Sequence, residues 1–402
     1  MKITYDLSLV KNREISKAVS KLTPYLKVLR GVNGYHDQAG FINLPIDKKF
    51  LREAIEVKES KVSRNLKYIL VIGIGGSDLG TKAIYEGLYG QLDYLNRKRY
   101  PKILFIETNN KEQLIDLKNF LGKQVKKSSE ILINVVSKSG ETVETINDFN
   151  FVYTLLKKKF KNIEDRIVVT SSFGSKLFNF ALENGIETLT IPQNVGGRFS
   201  VFSSVGLFPL LACKVNINKF LSGGRMANKK NLVLKNSPAA ISASLIYLNL
   251  KSGKNVYDSF IFNPALESLG KWYRQVIAES VGKNKTIKII PTISIGSTDL
   301  HSLGQLYLSG PKNRFTCFVS TMAKKRDAVE AILKGVKASY KKRGLAFMEI
   351  ELKAITPQEL GEFMEFKMIE TILLAKLLGV NAFNQPAVEL YKKETRKVLK
   401  RK

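Results

Sequence analysis

The sequence has few of the residues that build metal clusters or disulfide frameworks. Its 402 residues include two cysteines, two histidines and one tryptophan. No apolar run approaches the roughly 20 residues that a membrane-spanning helix needs. The opening stretch MKITYDLSLVKNREISK mixes acids with bases and has no continuous apolar segment, unlike a secretory signal. We therefore expect a cytoplasmic protein that does not bind a membrane.

The two cysteines predict buried thiols. Cys213 lies in LLACKV and Cys317 in FTCFVS, so both occur in apolar runs and have no metal-like spacing. Free thiols of this kind are typical of a reducing compartment.

Acidic residues are scarce relative to basic ones, with 35 Asp and Glu against 65 Lys and Arg, for a net charge of +30. A polyanion partner is one interpretation, because basic clusters release the counterions of nucleic acids. The other is a lysine-rich, solvated surface. The clusters are scattered and are not interleaved with aromatic residues as a base-stacking platform would be. We expect no specific nucleic-acid partner, and a positive field that helps to attract a small anionic substrate.

A chain of 402 residues is long for one hydrophobic core, and its pattern predicts an α/β fold in two parts. Continuous apolar runs alternate with segments of helical period, as in parallel sheets covered on both faces. The predicted strands are 67–74, 102–107, 130–136, 166–171 and 187–192, then 258–262, 286–291, 314–319 and 347–352. We expect a helical lead-in over 1–60, a first domain over 61–212, and a second over 213–402 that ends in helices at 357–379 and 386–400.

In the stretch VVSKSGETVETI, three hydroxyl residues, a lysine and a glycine lie between a predicted strand and a predicted helix. In open α/β sheets ligands bind beyond the carboxyl ends of the strands, and a helix N-terminus attracts anions. Gly140 would let backbone amides approach a ligand, while Ser137, Ser139 and Thr142 supply small donors. The pattern favours a phosphate site. The alternative is that the hydroxyls only cap the helix, although one would suffice for that.

A second turn, LVIGIGGSDLG, is similar to a dinucleotide-binding loop. The G-x-G-x-x-G pattern fails, because Asp78 stands at its third glycine position. Glu107, at the end of the next predicted strand, could contact a ribose and keeps that alternative open. Gly75 and Gly76, followed by Ser77, better suit a close approach of the backbone to a small ligand.

Six motifs occur in the order found in the glucose-6-phosphate isomerase family, which the chain resembles from about residue 67 to residue 395. They are GIGGSDLG, SKSGETVET, GGRFSVFSSVGL, AESVGK, TDLHSLGQ and NQPAVELYK. The resemblance implies two three-layer αβα sandwiches of the sugar isomerase (SIS) type with mainly parallel sheets. It also implies the reversible conversion of glucose 6-phosphate to fructose 6-phosphate through a cis-enediol, a step of glycolysis and gluconeogenesis, without a metal or organic cofactor.

The resemblance also assigns substrate-binding roles. The phosphate would be held by Ser137, Lys138, Ser139 and Thr142. The sugar would be contacted by Gly76, Ser77, Gln275 and Gln385.

Two catalytic roles follow for residues with informative local chemistry. Glu279 matches the family's base. The apolar residues of its helix, with Glu279 on the same line, predict a partly buried carboxylate in the last turn before Gly282. Arg198 follows two glycines and matches the residue that stabilises the enediolate. The alternatives are an edge glutamate paired with a lysine and an arginine that ties a loop to the sheet.

Two further groups would serve ring opening. His301 follows a run of capping residues, so we expect it near a helix N-terminus; in the family it reaches the neighbouring subunit's site, which implies a homodimer. His36 has no such match. Lys392 matches the family's lysine, on a helix whose stripe is expected to face inward, although a one-residue slip would select Lys393 instead. The inward stripe is Val388, Tyr391, Thr395 and Val398.

Two other functions stay open at this point. An SIS-type sensor would bind a sugar phosphate without converting it, and needs the phosphate turn but not the four catalytic residues together. An isomerase that also accepts mannose 6-phosphate would need the same residues.

Overall fold

The computed structural model describes residues 1–107, 110–322 and 328–400, which form ten strands and fourteen α-helices. The strands are β1 (Lys2–Thr4), β2 (Tyr68–Ile72), β3 (Lys102–Ile106), β4 (Ile131–Ser137), β5 (Ile167–Ser171), β6 (Glu187–Thr190), β7 (Val256–Ile261), β8 (Ile290–Ile295), β9 (Arg314–Thr321) and β10 (Phe347–Leu352).

The helices alternate with these strands along the chain. They are α1 (Asn12–Arg30), α2 (Lys49–Lys61), α3 (Leu79–Tyr89), α4 (Lys111–Gln124), α5 (Val143–Lys159), α6 (Lys176–Glu183), α7 (Ser204–Ala212), α8 (Ile217–Asn231), α9 (Pro238–Lys251), α10 (Glu267–Val281), α11 (Leu300–Ser309), α12 (Ala328–Arg343), α13 (Pro357–Leu378) and α14 (Pro386–Lys400).

The first sheet is parallel throughout, in the order β3-β2-β4-β5-β6. Alternate residues of β2 enter different cores. Leu70 and Ile72 pack with α4, α5 and α6, whereas Ile69 and Val71 pack with α2, α3 and α7. Helices therefore cover both faces, which explains why the strands are apolar at nearly every position. The predicted three-layer α/β architecture is confirmed.

The second sheet has the order β1-β10-β9-β7-β8, and its only antiparallel pair among the described strands is β1 with β10. The helical lead-in expected over 1–60 contains α1 and α2, but it begins with a strand that was not predicted, since Lys2 pairs with Glu351. A strand of three residues carries too little periodicity to be recognised, and its partner lies far along the chain.

Strand β8 begins four residues later than the predicted run at 286–291. Its sequence IPTISI places two hydroxyl residues between apolar ones, so it is not a continuous apolar run. The hydroxyls of Thr292 and Ser294 donate to the buried carboxylate of Asp258 on β7, over 2.6 and 3.0 Å. The polar residues are therefore satisfied within the sheet, and hydropathy alone could not place them there.

Helix α13 packs against α8, α9 and α10 and is buried along most of its length. Glycines allow a close approach to α8: a Cβ at Gly223 would lie 2.0 Å from the carbonyl oxygen of Gln358. Helix α10 also packs against α3 beside the first sheet, so one continuous hydrophobic core joins the two halves. Both cysteines are buried, as predicted. The division of the chain at residues 60 and 212 stays a prediction.

Candidate active site

The centre of the site is Arg198, whose side chain is buried on the short turn Gly197–Phe199. Its guanidinium donates from Nε to Ser280 Oγ over 2.9 Å and from Nη1 to Glu279 Oε2 over 3.1 Å. Nη1 also donates to Gln385 Oε1 over 2.8 Å, and Nη2 to the carbonyl oxygen of Ala382 over 2.6 Å. One side chain thus joins three parts of the chain that are distant in sequence.

Glu279 lies in the last turn of α10, which Gly282 terminates, as predicted. Its second oxygen, Oε1, accepts a hydrogen bond from Gln275 Nε2 over 3.0 Å. The side chain is 29% exposed, which confirms the expectation of a partly buried carboxylate. Both oxygens are therefore oriented while the group remains open to a ligand. We call Arg198, Gln275, Glu279, Ser280 and Gln385 the Arg198 network.

The sequence left two structural alternatives open: Glu279 as an edge glutamate paired with a lysine, and Arg198 as a residue that ties a loop to the sheet. Glu279 is paired with Arg198 rather than with a lysine. Arg198 does tie a loop to neighbouring elements, so its structural role is present alongside any chemical one. Burial lowers the pKa of the Arg198 guanidinium, and the Glu279 carboxylate opposes that shift.

The glycine turn after β2 lies directly against this network. A Cβ on Gly76 would stand 2.4 Å from the carbonyl carbon of Gly197, so no larger residue fits there. Gly75 has φ +63° and its Cβ would lie 2.9 Å from Gln275 Nε2. Ser77 ends the turn and is half-buried. Close packing of backbone on backbone is why glycines occupy these positions.

Asp78, which breaks the dinucleotide pattern, is buried immediately after that turn. Burial raises the pKa of its carboxyl well above the ordinary value, and Glu107 adds to the shift. Glu107 is itself paired with Lys82 of α3. Lys82 and Glu107 therefore satisfy each other, whereas the buried Asp78 carboxyl has no hydrogen-bond partner among the described residues.

The hydroxyl-rich turn connects β4 to α5, which begins at Val143 with Thr142 as its N-cap residue. The Thr142 side chain makes no capping hydrogen bond; its Oγ1 lies 3.1 Å from Ser137 Oγ. Ser137 Oγ also accepts from the backbone N–H of Gly140, and Ser139 Oγ from that of Glu141. Helix capping by Thr142, the simpler alternative, is not observed.

Charge around this turn is suited to an anion. The Glu141 carboxylate pairs with Lys176 over 2.6 Å. Burial lowers the pKa of the Lys138 ammonium, and the positive charge of Arg198 lowers it further. Two cations thus lie within electrostatic reach of each other where the first sheet ends.

His301 does not join the Arg198 network in this chain. It is the second residue of α11, so its predicted place near a helix N-terminus is confirmed, and it is exposed. Within residues 1–107, 110–322 and 328–400, no hydrogen bond or ion pair involves its imidazole.

Lys392 also lies apart, on α14, where its ammonium pairs with Glu389 over 3.0 Å and its side chain is 38% exposed. The predicted inward stripe of α14 was wrong: Tyr391 and Val398 are 58% and 59% exposed, and Thr395 is exposed. Helical spacing shows that residues share a face, but not that anything packs against it.

Two residues of the network region were missed in the sequence. Ser280 receives the Nε donor of Arg198, and Lys283 donates to the carbonyl oxygens of Glu279 and Asn384. Both belong to the AESVGK motif, which was the available signal. Among the described residues, no group of three His, Cys, Asp or Glu side chains is arranged to hold a metal ion. No described helix is long and apolar enough to cross a bilayer.

The architecture is an α/β sandwich with a candidate ligand site where the strands of its first sheet end. A hypothetical protein from Thermus thermophilus has the same fold, with a TM-score of 0.82, 28% identity and 99% coverage of both chains. The probable glucose-6-phosphate isomerase of Methanococcus maripaludis is 32% identical, covering 95% of this chain and 87% of that protein. The glucose-6-phosphate isomerase of Methanocaldococcus jannaschii is 33% identical, covering 81% and 82% respectively.

A family model for phosphoglucose isomerase matches residues 47–300. The chain belongs to the phosphoglucose isomerase family. The matched segment contains the glycine turn, the hydroxyl turn, Arg198 and Glu279, whereas His301, Gln385 and Lys392 lie beyond it.

Proposed function

We propose that the protein interconverts glucose 6-phosphate and fructose 6-phosphate, an aldose–ketose isomerisation. The observation that carries the proposal is the contact of Arg198 with both Glu279 and Gln385, because it joins a base to a fixed positive charge beside the glycine turn. The relatives named as glucose-6-phosphate isomerases support the same substrates.

Glu279 is proposed as the base. It takes the proton from C2 of the open-chain aldose, the electrons of that C–H bond form the C1–C2 double bond, and the C1 carbonyl π electrons move to its oxygen, which gains a proton to give the cis-enediol. The C2 hydroxyl then loses a proton and becomes the carbonyl, while C1 takes the proton held by Glu279. A positioned base typically contributes about 10²–10⁴ in rate.

Arg198 is proposed to stabilise the negative charge that develops on the oxygens during this transfer. Its guanidinium is held by Ser280, Gln385 and the Ala382 carbonyl, so it does not need to reorganise as charge appears. Fixed charge in a desolvated site is commonly worth several kcal/mol.

The hydroxyl turn is proposed to hold the phosphate. Ser137, Ser139 and Thr142 offer hydroxyls, Lys138 offers a positive charge, and the helix N-terminus offers free N–H groups. The sugar would then lie between the hydroxyl turn and the Arg198 network, in contact with Gly76, Ser77 and Gln275. Binding energy gained at the phosphate can be used to orient the reacting carbons.

His301 and Lys392 are proposed to open the sugar ring. Neither reaches the Arg198 network in the described chain, which fits a site completed by a second copy that contributes His301. We propose a homodimer on this basis, and a cytoplasmic location because both cysteines are buried free thiols.

The test is a coupled assay that follows the conversion of fructose 6-phosphate to glucose 6-phosphate, with mannose 6-phosphate in parallel. Turnover of fructose 6-phosphate alone supports the proposal, and turnover of both sugars widens the substrate class. A folded protein that binds sugar phosphate without turnover would overturn it in favour of a sensor. Gel filtration with multi-angle scattering tests the dimer; a monomer at working concentration that retains full activity would refute the shared histidine.

A further inference from the structure

Lys283 closes the end of α10 in an unusual way. The helix ends at Val281 with Gly282 as its C-cap, and the backbone N–H of Lys283 donates to the carbonyl of Val281 over 2.9 Å. The carbonyl of Glu279 is therefore left without that helical partner, and the Lys283 ammonium donates to it instead. A cation is favoured at this negative helix end. Lys283 thus fixes the backbone of the residue proposed as the base.

The same ammonium donates to the carbonyl oxygen of Asn384, more than 100 residues away. Arg198 Nη2 donates to that oxygen as well, over 3.4 Å, and to the carbonyl of Ala382 over 2.6 Å. Two cations therefore hold one short segment, 382–385, against the end of α10. This segment carries Gln385 and leads directly into α14.

We propose that Lys283 is a positioning residue of the isomerisation: it locks segment 382–385 to the end of α10 and so sets Gln385 and Lys392 relative to Glu279. This inference rests on the proposed function for its activity readouts. Lys283 touches backbone oxygens only and is not placed on the substrate.

The surroundings of Lys283 make its charge sensitive to pH. Burial lowers the pKa of its ammonium to about 8; Arg198 lowers it too, and Glu279 raises it. Segment 382–385 presents the carbonyls of Ala, Phe, Asn and Gln and no charged side chain. As pH rises through 8, the amine loses its charge and its hydrogen bonds lose their charge assistance.

The experiment compares three variants of the full chain: Lys283→Met, Lys283→Arg and, as matched control, Lys285→Met, whose lysine is exposed in the same loop. We expect Lys283→Met to lower kcat/KM by about 10–100-fold, mostly in kcat, since small misplacements of reacting groups cost such factors. Lys283→Arg keeps the cation and should recover activity to within about 5-fold. Lys285→Met should match the wild type.

The pH profile separates positioning from plain packing. The wild type should lose kcat/KM above about pH 8, Lys283→Arg should move that alkaline limb upward, and Lys283→Met should remove it. A Lys283→Met variant with wild-type kcat/KM and an unchanged alkaline limb would overturn the inference.

A readout independent of activity is trypsin cleavage after Lys392, Lys393 and Arg396. Release of segment 382–385 should speed this cleavage in Lys283→Met at an unchanged melting temperature. If the wild type fails to turn over fructose 6-phosphate but cleavage still accelerates, the proposed function fails and the lock stands. Equal cleavage in wild type and Lys283→Met refutes the lock, even if activity falls.

Discussion

The proposed catalytic residues divide into two regions that are held in opposite ways. The Arg198 network is tied by hydrogen bonds among three distant stretches of chain, and its guanidinium is buried. His301 and Lys392 lie on exposed helix surfaces, and the only partner recorded for either side chain among the described residues is Glu389, one turn from Lys392.

This difference fits the chemistry proposed for each region. A group that stabilises developing charge works best when it is fixed and shielded from water before the reaction begins. Groups that protonate an entering ring must stay accessible, and can be brought in by a neighbouring subunit or a moving helix. Substitutions in the two regions should therefore separate effects on rate from effects on stability.

The largest effect is expected from Glu279→Gln. Glutamine keeps an oxygen for Arg198 but cannot take a proton at neutral pH, so kcat should fall by about 10³-fold or more while KM changes little. The coupled assay and a sugar-phosphate binding titration measure the two. Glu267→Gln, on the same helix, is the control and should stay within about 2-fold. Lost binding with a retained rate would refute the assignment.

Arg198→Lys should affect both rate and stability, unlike any change in the exposed region. Lysine keeps the charge but cannot form the several hydrogen bonds that the guanidinium donates to Ser280, Gln385 and the Ala382 carbonyl. We expect a loss of ~2–4 kcal/mol in the free energy of unfolding and about 10²-fold in kcat. Urea unfolding that matches the wild type would show that the network does not stabilise the fold.

Lys392→Ala should lower kcat by about 10–100-fold without changing the melting temperature, since its side chain is partly exposed and its one ion-pair partner among the described residues is Glu389. Lys393→Ala is the matched variant and should stay within about 2-fold. The reverse ranking would move the catalytic role to Lys393.

Ser139→Asp tests the hydroxyl turn. The added charge would repel a phosphate, so KM should rise by about 10-fold while kcat is nearly kept. Ser139→Ala, which removes only one donor, should raise KM less. Equal KM values in all three proteins would return the turn to a purely structural role.

The smallest effect is expected on stability, from Asp148, a buried carboxyl that is not paired as Arg198 is. Asp148 of α5 is buried, and its Oδ1 has no hydrogen-bond partner in the described part of the chain. Burial raises the pKa of its carboxyl to about 6, and the nearby Glu144 adds to the shift. Between pH 4 and 6 the native state therefore holds more protons than the unfolded state, and stability falls as pH rises. Asp148→Asn should add ~1–2 kcal/mol to the free energy of unfolding at pH 7.

The gain from Asp148→Asn should largely vanish below about pH 3, because aspartic acid is then mostly neutral in both states. Denaturant unfolding at pH 7 and at about pH 3 checks this. A gain of the same size at both pH values would contradict the role of charge.

Much of the fold could be predicted because most strands are continuous apolar runs. Strand β10 matches its predicted limits, and β3 differs by one residue. Prediction failed where a strand depends on residues distant in sequence. Strand β1 pairs with β10 near the other end of the chain, and the polar side chains of β8 are hydrogen-bonded by Asp258 of β7.

The site was predictable only in part. Local pattern indicated the two turns and placed Glu279 at the end of a helix. That Arg198, Glu279 and Gln385 belong to one site could be predicted only from the family resemblance, because no sequence spacing links positions so far apart. Lys283 was overlooked because its partners are backbone carbonyls, which leave no trace in residue type. The face of α14 was misjudged because periodicity does not reveal a partner.

The two sheets also become complete at different times during synthesis. The first sheet needs only residues 68–190, whereas the second needs β1 to pair with β10. At about 5–20 residues per second, the roughly 350 residues between Lys2 and Glu351 take about 20–70 s to make. For that interval β1 has no edge to join. The growing chain carries β1 unpaired until β10, the last strand of that sheet in the described chain, has been made.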